Sequence, residues 1–478
     1  MIVKRYLFLA AAFWLAVSGV SLAQVAANLQ VPDLSGSDDV AARMSRLEAE
    51  TQALRAEVQR LRDNPARLPP VDATPTAMAP APDAAAVPAA PPAADQGDYF
   101  TLNELRGEMK KFSWKKGDFS ITPYGYLWGN TVYSTERTSP GTYTLYVQSG
   151  STKPESECIV DVRNTRLGFD VGGPQIPFLG CAQSGGKVEI DFQNNLVTPS
   201  TENKPTIMLR HAYFEVKDDE FRLLVGQTWD VISPLNPGML LYSVGWDGGN
   251  IGYRRAQFRG ERYLAFSDVS LVTVQASINQ DVFPAVEGVT GEPPNWPILE
   301  GRVAWTVGQR GEGCLPITVG LSGHIGESEF DIIDGAKDNH RRTWSGNLDV
   351  RVPLTERLGI QGECFVGENL SQFLGGIGQG IEPTSLNTIR DVGGWLEVWY
   401  DWTPRLHSHV GYSVDDPNNN DLVTKGDRSY NQFYYGNVTY DMTKNFLIGL
   451  EVSSWKTLYV DKLPGDSVRS EFVAKYGF

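Results

Sequence analysis

From Phe119 to the end of the chain, apolar and polar residues alternate one by one in stretches of about 8 to 14 residues. The run 187–193 is strict: Lys187, Glu189, Asp191 and Gln193 fall on one face, and Val188, Ile190 and Phe192 on the other. A period of two belongs to a β-strand and excludes a helix, whose faces repeat every 3.6 residues. The same alternation recurs at 165–171, 221–230, 297–307, 317–325, 344–352, 406–414, 446–452 and 468–478, with aromatic residues such as Trp344, Tyr400, Tyr412, Tyr440 and Tyr476 near the ends of the apolar face. Strands with one apolar and one charged face admit two architectures. One is a soluble sandwich with the apolar face inside; the other is a membrane barrel with that face outside and a polar lumen.

Three features favour the barrel. The connections 355–357, 403–405 and 443–445 are tight, whereas 369–389 and 415–429 are long and rich in Gly, Asn and Asp, which is the short periplasmic turn and long external loop of an outer-membrane barrel. Charges repeat at consecutive inward positions, as in Lys187/Glu189/Asp191, Glu300/Arg302, Asp349/Arg351 and Arg469/Glu471. The chain also stops on a strand with Phe472, Ala474, Tyr476 and Phe478 on one face. A barrel seals such a strand against its first one, while a soluble domain leaves an apolar edge bare. About 360 residues in hairpins of roughly 45 predict an all-β, transmembrane antiparallel β-barrel of about 16 strands over 119–478, wide enough for a water channel.

Upstream of the barrel the chain changes character. Residues 6–20 form an apolar run behind Lys4 and Arg5 and ahead of Ser21, Leu22 and Ala23. At about 15 residues it is short for a spanning helix, so 1–23 reads as a secretory signal peptide. Residues 24–63 carry a short heptad: Val40, Leu47, Leu54 and Leu61 lie seven apart, with Met44, Thr51 and Val58 four residues after the first three. This is the seam of an oligomeric coiled coil or the apolar face of a lone amphipathic helix. The Pro/Ala tract 64–98 lacks the bulk to bury a core and serves as an extended spacer of about 3 Å per residue. Within 99–118, Thr101 and Glu104 form a capping box that opens a short helix through Phe112 and leads into the barrel. The mean hydropathy of −0.26 excludes a multi-helix membrane protein. Residues 99–478 hold 34 basic and 46 acidic side chains, a net −12 out of −15 for the chain, so a nucleic-acid partner is disfavoured.

The runs 209–215 (Leu-Arg-His-Ala-Tyr-Phe-Glu), 224–229 (Leu-Val-Gly-Gln-Thr-Trp) and 252–259 (Gly-Tyr-Arg-Arg-Ala-Gln-Phe-Arg) resemble the DcaP-like family of trimeric outer-membrane porins. The segments 104–109, 116–118 and 121–128 look like the planctomycete porins of this group. The resemblance covers signal, coil, linker and barrel. It implies a 16-stranded homotrimer in outer-membrane lipid, joined through the coil at Val40, Met44, Leu47, Leu54, Val58 and Leu61, with the N-terminal segment in the periplasm. It also implies passive diffusion of small hydrophilic, often anionic, solutes, and a last strand read by the barrel assembly machinery at Phe472, Tyr476 and Phe478. A net −12 barrel departs from an anion preference, and the four Cys belong to no motif of the family. Coil and linker are also long enough for a structural tether to peptidoglycan.

In a 16-strand barrel the third external loop folds inward, and by strand count that loop is 231–250, with Pro234, Pro237, Gly238 and Trp246 as its constriction residues. An ordinary surface loop is the alternative. Next to it, Arg255, Gln257 and Arg259 share one face and Ala256 and Phe258 the other. An arginine on the lipid face costs about 2 to 4 kcal/mol at midplane, which puts these residues in the lumen. With Arg302, Asp230 and Asp247 they are the pore-lining candidates. The glycine-rich run 375–380 lacks the Lys-Ser/Thr of a phosphate loop and reads as a flexible external loop. Asp415, Asp416 and 418–421 lack EF-hand spacing and read as a solvated loop. His407 and His409 share a strand face without a third ligand, so no metal or cofactor is expected. Cys158 and Cys181 flank one spanning strand and should lie too far apart to bond; the count of four Cys, with Cys314 and Cys364, leaves three pairings formally open. No G-x-S-x-G or triad context occurs, so an enzyme, such as a barrel hydrolase, is not expected.

Overall fold

A computed structural model describes residues 113–150, 155–194, 205–282, 289–311, 314–332 and 335–478. The signal, coil, linker and short helix expected upstream lie outside the described residues. Within them, sixteen antiparallel strands form one closed barrel. They are β1 Phe119–Ser134, β2 in two pieces (Glu157–Asp161 and Arg166–Ile176), β3 Ala182–Asp191, β4 Met208–Lys217, β5 Phe221–Trp229, β6 Arg254–Ser267, β7 Ser270–Asn279 and β8 Ile298–Val307, then β9 Ile317–Ile332, β10 Gly335–Pro353, β11 Leu358–Glu368, β12 Arg390–Thr403, β13 Leu406–Pro417, β14 Arg428–Thr443, β15 Phe446–Tyr459 and β16 Gly465–Gly477. The seam pairs β1 with β16 from Tyr126↔Gly477 to Ser134↔Arg469. Beyond it, Gly125 and Phe478 exchange both backbone hydrogen bonds, at 3.2 and 3.0 Å.

The two faces of the barrel wall are inverted relative to a soluble protein. Leu127, Phe214, Phe258, Leu321, Val410 and Phe472 point outward and are exposed, while Asp191, Arg210, Glu261, Asp349 and Glu471 are buried. Such an outer face is stable in lipid, and closure leaves no unpaired sheet edge there.

One end of the barrel is made of tight turns with a shared device. Thr355 Oγ accepts the N–H groups of Arg357 and Leu358, Thr403 those of Arg405 and Leu406, and Thr443 those of Asn445 and Phe446. Asp218 does the same for Glu220 and Phe221. The side chain stands in for a backbone acceptor, so the chain reverses within a few residues.

At the other end, several strands run further than their alternation predicts. β9 and β10 continue pairing through Glu327↔Arg342 and Glu329↔His340, where both faces are polar and the period-two contrast vanishes while the backbone ladder persists. Asp415 and Asp416 belong to β13. All four cysteines are free, with Cys158 in the first piece of β2 and Cys181 in the turn that follows its second.

Candidate functional site

The third loop, 230–253, leaves β5 at Asp230. Its base is closed like a hairpin: Asp230 and Tyr253 are bonded through the backbone at 2.8 Å, and the Asp230 carboxylate takes Arg255 Nε at 2.7 Å and the Tyr253 N–H at 2.8 Å. From there the loop crosses the lumen in a conformation that satisfies few of its own N–H groups. Glutamates of the wall supply the missing acceptors. Val231 N–H donates to Glu300 of β8 at 2.6 Å, Leu235 N–H to Glu363 of β11 at 2.7 Å, Gly238 N–H to Glu397 of β12 at 2.6 Å and Leu240 N–H to Glu451 of β15 at 2.7 Å. All four glutamates are 8% exposed or less. A buried N–H needs an acceptor, and leaving one without costs about 1–3 kcal/mol. Four wall carboxyl groups are therefore bound to the strap rather than facing water.

The far end of the strap is held by apolar contact. Leu241, Tyr242 and Trp246 pack with Phe433 and Tyr435 of β14, Trp455 of β15, and Tyr143 and Val147 of the first loop. Phe433 and Trp455 stack at 3.9 Å, and Ser243 Oγ donates to the Thr144 carbonyl at 2.7 Å. A Cβ on Gly238 would lie 2.2 Å from His409 Nδ1, so any side chain there has to displace that imidazole where the strap passes the wall.

A second loop also turns inward, which corrects the expectation of a flexible external loop at 375–380. In the sixth loop, 369–389, Leu370, Phe373 and Ile377 are buried. Its main chain bonds the strap directly: Asp247 N–H donates to the Leu374 carbonyl and Gly252 N–H to the Phe373 carbonyl, both at 2.8 Å. Glycine-rich composition suits a mobile loop and a tight buried turn equally, and only the surrounding contacts separate them. Asp415, expected in a solvated loop, is fully buried beneath this turn.

The predicted site residues are brought together but are largely engaged with protein partners. Arg255 faces inward with its guanidinium fully covered, between Asp230, the Gln372 side chain and carbonyl, and the Phe373 ring at 4.0 Å. That removes it as a free contact for a solute. Gln257 is spent on the Thr228 and Trp229 carbonyls. Arg259 reaches Glu261 at 3.4 Å and Arg302 reaches Asp349 at 2.7 Å, with about a tenth of each side chain left exposed. Asp247 is buried, and burial pushes its carboxyl up to about 7. On the strap, Pro234 is exposed, Gly238 is half-buried, and Pro237 and Trp246 are buried. His407 and His409 contact different carboxylates, Asp401 at 2.6 Å and Glu397 at 3.3 Å. Among the described residues no three His, Cys, Asp or Glu are arranged to hold a metal.

The wall around the seam carries cations that the alternation placed inward but that no motif singled out. Tyr126 of β1 has the Arg166 guanidinium 5.4 Å and Lys475 Nζ 4.5 Å from its ring centre. Both cations are half-buried, neither makes an ion pair among the described residues, and Arg166 Nε has no hydrogen-bond acceptor.

No family model and no curated protein matches this sequence. Among solved structures the chain is similar to the outer membrane channel DcaP of Acinetobacter baumannii, with a TM-score of 0.61 and 18% identity over 76% of this chain and 99% of that one. An anion-selective porin from Comamonas acidovorans gives 0.49 at 11% identity over 75% and 100%, and Pseudomonas putida OprB gives 0.47 at 11% over 79% and 97%. The first of these likenesses shows that the barrel shares the fold of DcaP, the fold that the sequence resemblance implied.

Proposed function

We propose that this chain is an outer-membrane porin that forms a water-filled channel for passive diffusion of small hydrophilic solutes, without catalysis. The observation that carries the reading is a closed sixteen-stranded barrel, apolar outside, whose charged lumen is crossed by an inward loop tied to the wall at four glutamates. The tight-turn end faces the periplasm, the N-terminal coil at Val40, Met44, Leu47, Leu54, Val58 and Leu61 holds three copies together there, and the long-loop end faces outward. Anionic solutes are favoured, because the strap engages four wall carboxyl groups while Arg166 and Lys475 make no ion pair among the described residues. Purified protein in a planar bilayer should conduct in ohmic steps that close in threes. A folded barrel without conductance would instead support a tether between the outer membrane and peptidoglycan.

The final strand serves assembly in this reading. Phe472, Tyr476 and Phe478 are exposed on the outer face, and Phe478 both closes the seam and lies over Gly125. Deleting Phe478 removes two seam hydrogen bonds, about 1 kcal/mol each, together with the terminal aromatic presented to the assembly machinery. Outer-membrane yield in cells should drop well below wild type; an unchanged yield would mark Phe478 as an ordinary strand end.

A further inference from the structure

The glycine-rich turn of the sixth loop is built against three carboxyl groups. Its backbone stays left-handed at Gly376 (φ +65), Ile377 (φ +53) and Gly378 (φ +68), a conformation that is costly for a β-branched side chain. Two successive N–H groups donate to different aspartates, Gly376 to Asp391 Oδ2 at 2.7 Å and Ile377 to Asp415 Oδ2 at 3.4 Å, while the Gly378 N–H closes the turn on the Gly375 carbonyl at 3.3 Å and its Cα packs against the Asp247 carboxyl. These acids come from β12, β13 and the third loop and are 4%, 0% and 2% exposed. In each, the remaining oxygen Oδ1 is buried with no hydrogen-bond partner. Asp391 and Asp415 are diagonal neighbours on the inward face of the paired strands β12 and β13, where Asp391 lies opposite Pro417 and Asp415 opposite Gly393, and they accept from adjacent amides of the turn, so the two carboxyls face each other beneath it.

The surroundings do not neutralise this cluster. From β14, Arg428 faces Asp247 and donates through Nε to the Ile377 carbonyl at 2.8 Å. From β13, Asp416 adds a further negative charge beside Asp391. The turn itself offers backbone amides and no charged side chain. Two acceptor oxygens facing each other away from water attract only when a proton lies between them. A metal ion would need three converging ligands, and no such arrangement occurs among the described residues.

We propose that Asp391 and Asp415 share one proton, and that this proton clamps the sixth loop against the strap. With the proton in place the left-handed turn is held; when it leaves, the two carboxylates repel and the turn is released. The proton belongs to the clamped state, so the clamp is complete at low pH and is lost as pH rises through the titration of the pair. Asp247 becomes charged near neutrality and adds to the repulsion. Release reaches the strap through the bonds from Asp247 and Gly252 to the sixth loop and from Arg255 to Gln372.

The test is amide hydrogen exchange at residues 376–378 in full-length protein in detergent, corrected for the intrinsic effect of pH, from about pH 5 to about pH 9. It needs no conductance, so its outcome is separable from that of the porin reading. Wild-type protection is expected to fall at least tenfold on the alkaline side. In Asp415→Asn, whose amide supplies the bridging hydrogen at every pH, protection should persist; Asp391→Asn is the second variant if the first does not fold. Protection that ignores pH in the wild type, or that falls in step in both the wild type and the folded Asn variant, overturns the proposal. So does protection that follows calcium and chelator at fixed pH, which would make the occupant a cation.

Discussion

Glu397→Ala should free the middle of the strap, raising single-channel conductance and lowering stability by on the order of 3 kcal/mol. The Glu397 carboxylate is 1% exposed as a residue and accepts the Gly238 N–H at 2.6 Å, Gln361 Nε2 at 2.7 Å and the Tyr435 hydroxyl. Alanine leaves the Gly238 N–H and the Tyr435 hydroxyl buried without that acceptor, whereas Gln361 Nε2 keeps the Asn236 carbonyl at 3.2 Å. Glu397→Gln keeps one oxygen for Gly238 and should fall between the two. Glu356→Ala, at an exposed turn, is the control and should match wild type. The measurements are bilayer conductance and the temperature at which the folded band is lost on gels. Wild-type conductance in Glu397→Ala would mean that the strap's base, its other three glutamates and its aromatic end hold it in place without Glu397.

Arg166→Ala/Lys475→Ala should shift the salt-gradient reversal potential toward cations. Each charge attracts an anion passing at about 4 Å by about 1 kcal/mol in a water-like dielectric, roughly a fivefold change in local concentration. The effect should shrink at high salt, where screening shortens the reach of both groups. Arg255→Ala/Arg259→Ala provides the contrast. Arg255 is covered by Asp230 and Gln372, so its loss should loosen the junction of strap and sixth loop more than it changes charge selectivity. Equal reversal potentials in the Arg166/Lys475 variant and wild type would remove these two residues from the ion path. A cation-selective wild type would overturn the anionic-solute reading itself.

The barrel, its strand number and the two faces of its alternating runs were legible in the sequence, because a strand's faces repeat every two residues and lipid demands an apolar one; the polar extensions of β9, β10 and β13 were not. Leu127, Phe258 and Phe472 outward and Arg255, Lys475 and Glu471 inward follow from counting. The strand count also led to the third loop, since its place in the order is a property of chain connectivity. What the inward residues do was decided only by tertiary structure. Glu300, Glu363, Glu397 and Glu451 look like any other lumen charges in the sequence, yet they are acceptors for one loop because four strands far apart in the chain bring them under it. The run 375–380 has the same composition whether it is a solvated loop or a buried left-handed turn, and Asp247, Asp391 and Asp415 decide it from three separate elements. Alternation is a local property written in neighbouring residues. The partner that satisfies a buried charge or amide is not local, and it exists only once the barrel has closed.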